Sequence, residues 1–172
     1  MKNHKKHNLK DIILGGQDGL VNVLGIVLAV ASATYATKDI LIAGLAATFA
    51  ESISMGAVAF TSSKAAKEYY LSKHIKKFPR EYKAPFNSAL VVGFSAIIGS
   101  LIPITPFFFT TVYTGIMISV IISIIALFIV GAIKAIVTTG DWKRSGLELA
   151  VIGISAAIIG YLIGLALGAT IY

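Results

Sequence analysis

The sequence predicts an all-α integral membrane protein of five transmembrane helices, with the N-terminus cytoplasmic and the C-terminus outside. Three observations carry this. Hydrophobic residues make up 56% of the 172 and charged residues 13%, with a mean hydropathy of +0.84. A soluble domain of this length has too much surface for its volume to hide so much apolar side chain. The apolar residues also gather into five runs near the length a helix needs to cross the hydrocarbon, about 20 residues for about 30 Å. Finally, the basic residues fall almost wholly into alternate connections between those runs.

In chain order, residues 1–11 read as a polar, lysine-rich tail and 12–34 as the first span. A polar turn around Thr37, Lys38 and Asp39 leads to the second span, 40–61. Residues 62–85 form a basic cytoplasmic loop. Its first part, 62–77, sets Ala65, Ala66, Tyr69, Tyr70, Leu71 and Ile75 among lysines, a pattern that predicts a continuation of the second helix. Pro79 and Pro85 end any such extension, because proline lacks the N–H that a helix interior needs. The third span covers 86–104 and is predicted to end at Pro103 and Pro106. The fourth runs from about 109 to 133, the charged stretch Asp141-Trp142-Lys143-Arg144 follows, and 146–171 is the fifth. The chain is read as one transmembrane domain, 1–172.

Lysine and arginine placement tests the count of five. Lys2, Lys5, Lys6 and Lys10 precede the first span. Lys64, Lys67, Lys73, Lys76, Lys77, Arg80 and Lys83 lie between the second and third, and Lys134, Lys143 and Arg144 between the fourth and fifth; only Lys38 falls on the other side. The positive-inside rule then puts the N-terminus and both basic loops in the cytoplasm. Glu148 beside Lys143 and Arg144 reads as an interfacial ion pair and Trp142 as an interface anchor.

The same facts exclude other classes. A net charge of +7 would suggest nucleic acid in a soluble protein, but here the charge sits in short loops and reads as topology, so no nucleic-acid partner is expected. There is no cysteine, hence no disulfide, thiolate metal site or cysteine nucleophile. No glycine-rich nucleotide loop or Ser/His/Asp arrangement occurs, and an enzyme is not expected. The lysine-rich start with Ala31-Ser32-Ala33 resembles a cleavable signal peptide, but Gly15, Gly16, Gln17 and Asp18 interrupt its apolar run, which is therefore read as a retained span.

Candidate functional residues lie in the first two spans. Asp18 and Glu51 place carboxylates inside membrane segments, where an acid is costly and marks a functional site by default. A short turn makes these spans antiparallel neighbours. Asp18 lies about 9 Å below the cytoplasmic boundary, and Met55 at a similar depth from the other direction. Asn22 follows Asp18 by four residues and Glu51 precedes Met55 by four, so each pair shares a helix face. Two layers are expected, Asp18 with Met55 nearer the cytoplasm and Asn22 with Glu51 one turn deeper. Carboxylates favour divalent cations, and a thioether adds a soft donor that Fe²⁺ and later transition metals use but Mg²⁺ and Ca²⁺ do not. One chain offers too few ligands for a six-coordinate ion, so a two-fold homodimer is expected to double the set. Gly44, Ala46, Ala47, Ala50, Ser52, Ser54, Gly56 and Ala57 would let the second span approach a partner closely. Bland readings stand beside these: Asp18 as a helix cap, Glu51 as a packing hydrogen bond, Met55 as core filler. Gly160, Gly164 and Gly168 form a small-residue face that implies close packing without saying against which helix.

At these residues the sequence resembles the vacuolar iron transporter family, whose first span carries a G-x-N-D-G-L-V motif. Here it reads GGQDGLVN, with Gln17 in place of Asn. The stretch AGLAATFAESISMGAVAFTSSKA, holding Glu51, Ser54 and Met55, is similar to the family's second span, and GAIKAIVTTGDWKRSGLELAVIGISAAIIGYLIG to its closing region. The resemblance implies a five-span fold that dimerises through the first span and moves Fe²⁺, often also Mn²⁺, out of the cytosol in exchange for protons. Asp18 and Met55 match the family's pathway ligands; Glu51 is added from depth and facing. No tightly bound cofactor is expected, only the transported Fe²⁺ or Mn²⁺. The expected partners are a second copy, the lipid membrane, divalent metal ions and protons, and the expected location is the cell membrane of a prokaryote. Many members carry a glutamate-rich cytosolic helical domain between spans two and three. The loop here holds only Glu68 and Glu81 among many lysines, so that domain is absent. A non-transporting membrane scaffold or metal-binding accessory remains the alternative.

Overall fold

The computed structural model describes residues 2–75, 82, 84–138 and 140–171; the side chains of 2–8, 170 and 171, and the loop residues Lys76, Lys77, Pro79, Arg80, Glu81 and Lys83 singled out above, lie outside the described set. Among the described residues are five helices long and apolar enough to cross a membrane: α1 (Lys2–Thr34), α2 (Thr37–Ser72), α3 (Pro85–Ile104), α4 (Val112–Thr138) and α5 (Trp142–Ile171). The chain is thus an all-helical, multi-pass membrane protein.

Several helices outrun the apolar stretches, each for a local reason. α2 continues through the amphipathic segment to Ser72 and stops in a Schellman closure. There the His74 N–H donates to the Leu71 carbonyl at 3.0 Å and Ile75 to Tyr70 at 3.0 Å, with His74 at φ +54°. α5 begins at Trp142, four residues before the apolar run, because Asp141 caps it: Oδ1 accepts from the Lys143 N–H at 2.9 Å. α3 ends at Ile104, one residue past Pro103. That proline lies buried inside α3, and the chain passes directly into a short 3-10 helix, Thr105–Phe108, with Pro106 in its first turn. Arg144 pairs with Glu148 at 3.3 Å, whereas Lys143 lies over the Trp142 ring, 5.5 Å from its centre.

α1 is the axis of the bundle. Leu20, Val23, Leu24, Val27, Leu28 and Ala31 are at most 1% exposed. Contacts of rising number on both partners show that α3 and α5 run parallel to it. Gly15 meets Val92 and Gly19 meets Ala96 and Ser100 on one side; Gly160 meets Gly25, Gly164 meets Ala29 and Gly168 meets Ala33 on the other. α2 runs antiparallel, with Gly44 against Val27 and Gly56 against Ala89. α4 does likewise, its Gly131 against Ser145 of α5 and Ser119 Oγ donating to the Pro103 carbonyl at 2.8 Å. Large apolar side chains such as Phe94, Ile98, Ile121 and Ile159 point away from the bundle, as they do in hydrocarbon.

This packing assigns the small residues. The Gly160, Gly164, Gly168 face belongs to the α1–α5 seam. Of the small residues expected to receive a partner along α2, Gly44, Ser52 and Gly56 are used within the protomer, against α1 and α3. Ala46, Ala50, Ser54 and Ala57 remain exposed.

Candidate functional site

The position of each acid follows from how α1 and α2 are rolled. On α1, Gly15 and Gly19 have no side chain, and α3 presses against their backbone; a Cβ at Gly15 would overlap the Val92 carbonyl oxygen, and one at Gly19 that of Ala96. With those two positions turned to α3, Asp18 and Asn22 occupy the adjacent strip. On α2, Ser52 Oγ donates to the Gly93 carbonyl at 2.9 Å and Gly56 packs over Ala89 and Gly93, which turns that strip to α3. Glu51 and Met55 each stand one residue earlier, about 100° round the helix.

The result is a polar constellation between α1 and α2 within the spanning segments. Glu51 interacts with the side chains of both Asp18 and Asn22. Asp18, Glu51 and Met55 are half-buried, and Asn22 is exposed. Glu51 thus reaches Asp18 as well as Asn22. Met55 follows one turn along α2. Among the described residues, no three His, Cys, Asp or Glu side chains come together in a way that could hold a metal ion. One protomer thus supplies two carboxylates and an amide, fewer ligands than a divalent ion takes from protein and water in a closed site.

A further acid escaped the sequence reading. Asp11, two turns before Asp18 and on the same side of α1, is only 5% exposed and accepts a 2.6 Å hydrogen bond from Ser88 Oγ of α3. In sequence, beside Lys10, it reads as part of the polar tail. The spacing Asp11, Gly15, Asp18 was the available signal, since seven residues return to nearly the same face.

Five spanning helices with paired carboxylates between the first two define a multi-pass membrane protein with an intramembrane polar site. A family model described as the VIT family matches residues 9–77 and 71–165, which includes every residue of that site. The chain belongs to the VIT family. It is 30% identical over 168 residues to an uncharacterized protein of Methanocaldococcus jannaschii, covering 88% of this chain and 86% of that one. It is 23% identical over 208 residues to vacuolar iron transporter 1 of Tulipa gesneriana, covering 89% and 84%. With the vacuolar iron transporter of Plasmodium falciparum it shares 36% identity over 74 residues, 42% of this chain and 27% of that protein. The chain is short beside its plant relatives.

Proposed function

We propose that this protein is a homodimeric divalent-metal transporter of a prokaryotic cell membrane. It carries Fe²⁺, with Mn²⁺ as second cargo, out of the cytoplasm in exchange for protons. The observation that carries the reading is the meeting of Glu51 with Asp18 and Asn22 inside the span. Carboxylate oxygens accept either a metal ion or a proton, so the pair offers one site to both. Metal and proton therefore compete for the same oxygens, and binding one releases the other. Family membership and the names of the Tulipa and Plasmodium relatives support metal, and iron in particular, as cargo.

The dimer completes the ligand set. The strip of α1 holding Leu14, Asn22 and Ile26 is exposed in the protomer, and an exposed asparagine in hydrocarbon is stabilised by a polar partner. A two-fold axis beside this strip brings two copies of Asp18, Asn22, Glu51 and Met55 together, with Met55 supplying the soft donor. The basic end of the bundle faces the cytoplasm, so the ion enters past Lys10 and Lys64 without a collecting acidic domain, and Asp18 is the first strong ligand in the span.

Flux into proteoliposomes tests this. Wild type is expected to move Fe²⁺ and to accelerate when a pH gradient supplies protons on the receiving side. Asp18→Ala should fall to background while still eluting as a folded dimer, and Glu51→Gln should move metal without proton counterflow. Wild-type flux from Asp18→Ala would defeat the proposal.

A further inference from the structure

Nearly every buried hydroxyl in this bundle has a partner. Ser32, Thr48 and Ser95 bond back to the carbonyl four residues earlier, at 2.9, 2.8 and 2.7 Å. Ser119 crosses from α4 to the Pro103 carbonyl of α3 at 2.8 Å, and Ser88 reaches Asp11. Among the described residues two do not: Ser100 Oγ on α3 and Ser123 Oγ on α4 have no hydrogen-bond partner there, and both residues are 0% exposed. A buried hydroxyl without a partner is costly, and such pairs are commonly resolved by an ordered water.

Their placement brings the two onto one level. Ser119 bonds the Pro103 carbonyl, and α3 and α4 run antiparallel there. One turn back along α3 from Pro103 is Ser100, and one turn on along α4 from Ser119 is Ser123. Ser100 Oγ lies against the bare backbone of α1, 2.6 Å from where a Cβ at Gly19 would stand. A third acceptor belongs to the same turn: Pro103 has no N–H to give the Gly99 carbonyl, which is left without its usual helical donor. Two hydroxyls and a carbonyl match the two to four hydrogen bonds a buried water makes. No carboxylate is among them, and three neutral oxygens are too few for a cation.

We propose that Ser100 and Ser123 hold a shared water molecule at the junction of α1, α3 and α4, behind the Asp18 motif. The water links α3 to α4 at the turn that holds Pro103, beside Gly19 of α1.

A double-mutant cycle on the full-length protein in detergent tests this. Ser100→Ala and Ser123→Ala should each lower the melting midpoint by a few degrees. The double variant should fall no further than the worse single one, because the second hydroxyl has nothing left to share. If either single variant melts at or above wild type, the hydroxyls are dry and the proposal fails. Additive losses would mean two separate sites and would also overturn it. An experimental structure at water-resolving resolution gives the independent reading: one ordered water within hydrogen-bond reach of both Oγ atoms supports the site, and its absence refutes it.

Discussion

α1 presents two faces governed by opposite rules. On one, glycines on both sides of the contact, Gly15 and Gly19 of α1 with Gly99 of α3, and Gly160 and Gly164 of α5 against α1, bring backbones so close that no Cβ fits. On the other, Asp18 and Asn22 meet Glu51 in a half-open polar strip. The first face gains its stability from dispersion between close backbones, since lipid offers helices no hydrophobic drive to associate. The second spends stability on carboxylates in hydrocarbon. The comparison teaches that the glycine face positions the polar one, because fixing Gly15 and Gly19 on α3 sets the roll that aims Asp18 at α2.

The largest effect should come from breaking the glycine face. A Cβ at Gly99 would land on the carbonyl of Gly16, backbone against backbone, with no flexible side chain to give way. Gly99→Ala should cost about 3 kcal/mol or more, the upper end of overpacking costs, and most of the protein should be lost as aggregate on extraction. Size-exclusion yield reads this; a normal monodisperse peak would show that α1 and α3 are not packed as described. Next, Asp18→Asn breaks only the polar face. It keeps the shape and removes the charge, so stability should stay within about 0.5 kcal/mol of wild type while Fe²⁺ flux falls to background. A variant that neither folds nor transports would instead make Asp18 structural.

A smaller effect tests the second helix. Ser52→Ala deletes the bond to the Gly93 carbonyl that holds the roll of α2. It should cost about 0.6 kcal/mol, the average for interhelical hydrogen bonds in membranes, yet weaken metal binding measurably, because Glu51 loses its fixed aim. Unchanged affinity would mean that Gly56 packing alone sets that roll.

The helix count was legible because lipid and charge write it plainly: five apolar runs and lysines in alternate loops. Helix ends were less so, because hydropathy stops where hydrocarbon stops, whereas hydrogen bonding runs on to a cap such as Asp141 or a closure such as His74. Periodicity and an antiparallel turn put Asn22 level with Glu51, whereas the reach of Glu51 to Asp18 is set by tertiary packing that a sequence does not display. A small-residue stripe reveals closeness but not its partner; hence Gly160 to Gly168 could not be assigned to α1, and Gly44 and Gly56 were assigned to a second chain rather than to α1 and α3.

The smallest predicted effect is also the sharpest test of the comparison, because it falls inside one motif. Gly15, Gly16 and Gly19 look alike in sequence. Structure separates them: a Cβ at Gly16 would stand 3.6 Å from the Ser95 carbonyl, an ordinary van der Waals distance. Alanine also favours a helix over glycine by about 1 kcal/mol. Gly16→Ala should therefore melt at or slightly above wild type and still transport, while Gly15→Ala and Gly19→Ala should not survive extraction. The reverse order, with Gly15→Ala tolerated and Gly16→Ala destructive, would turn α1 by one residue. Asp18 would then leave α2, and the acid pair on which the transport reading rests would not exist.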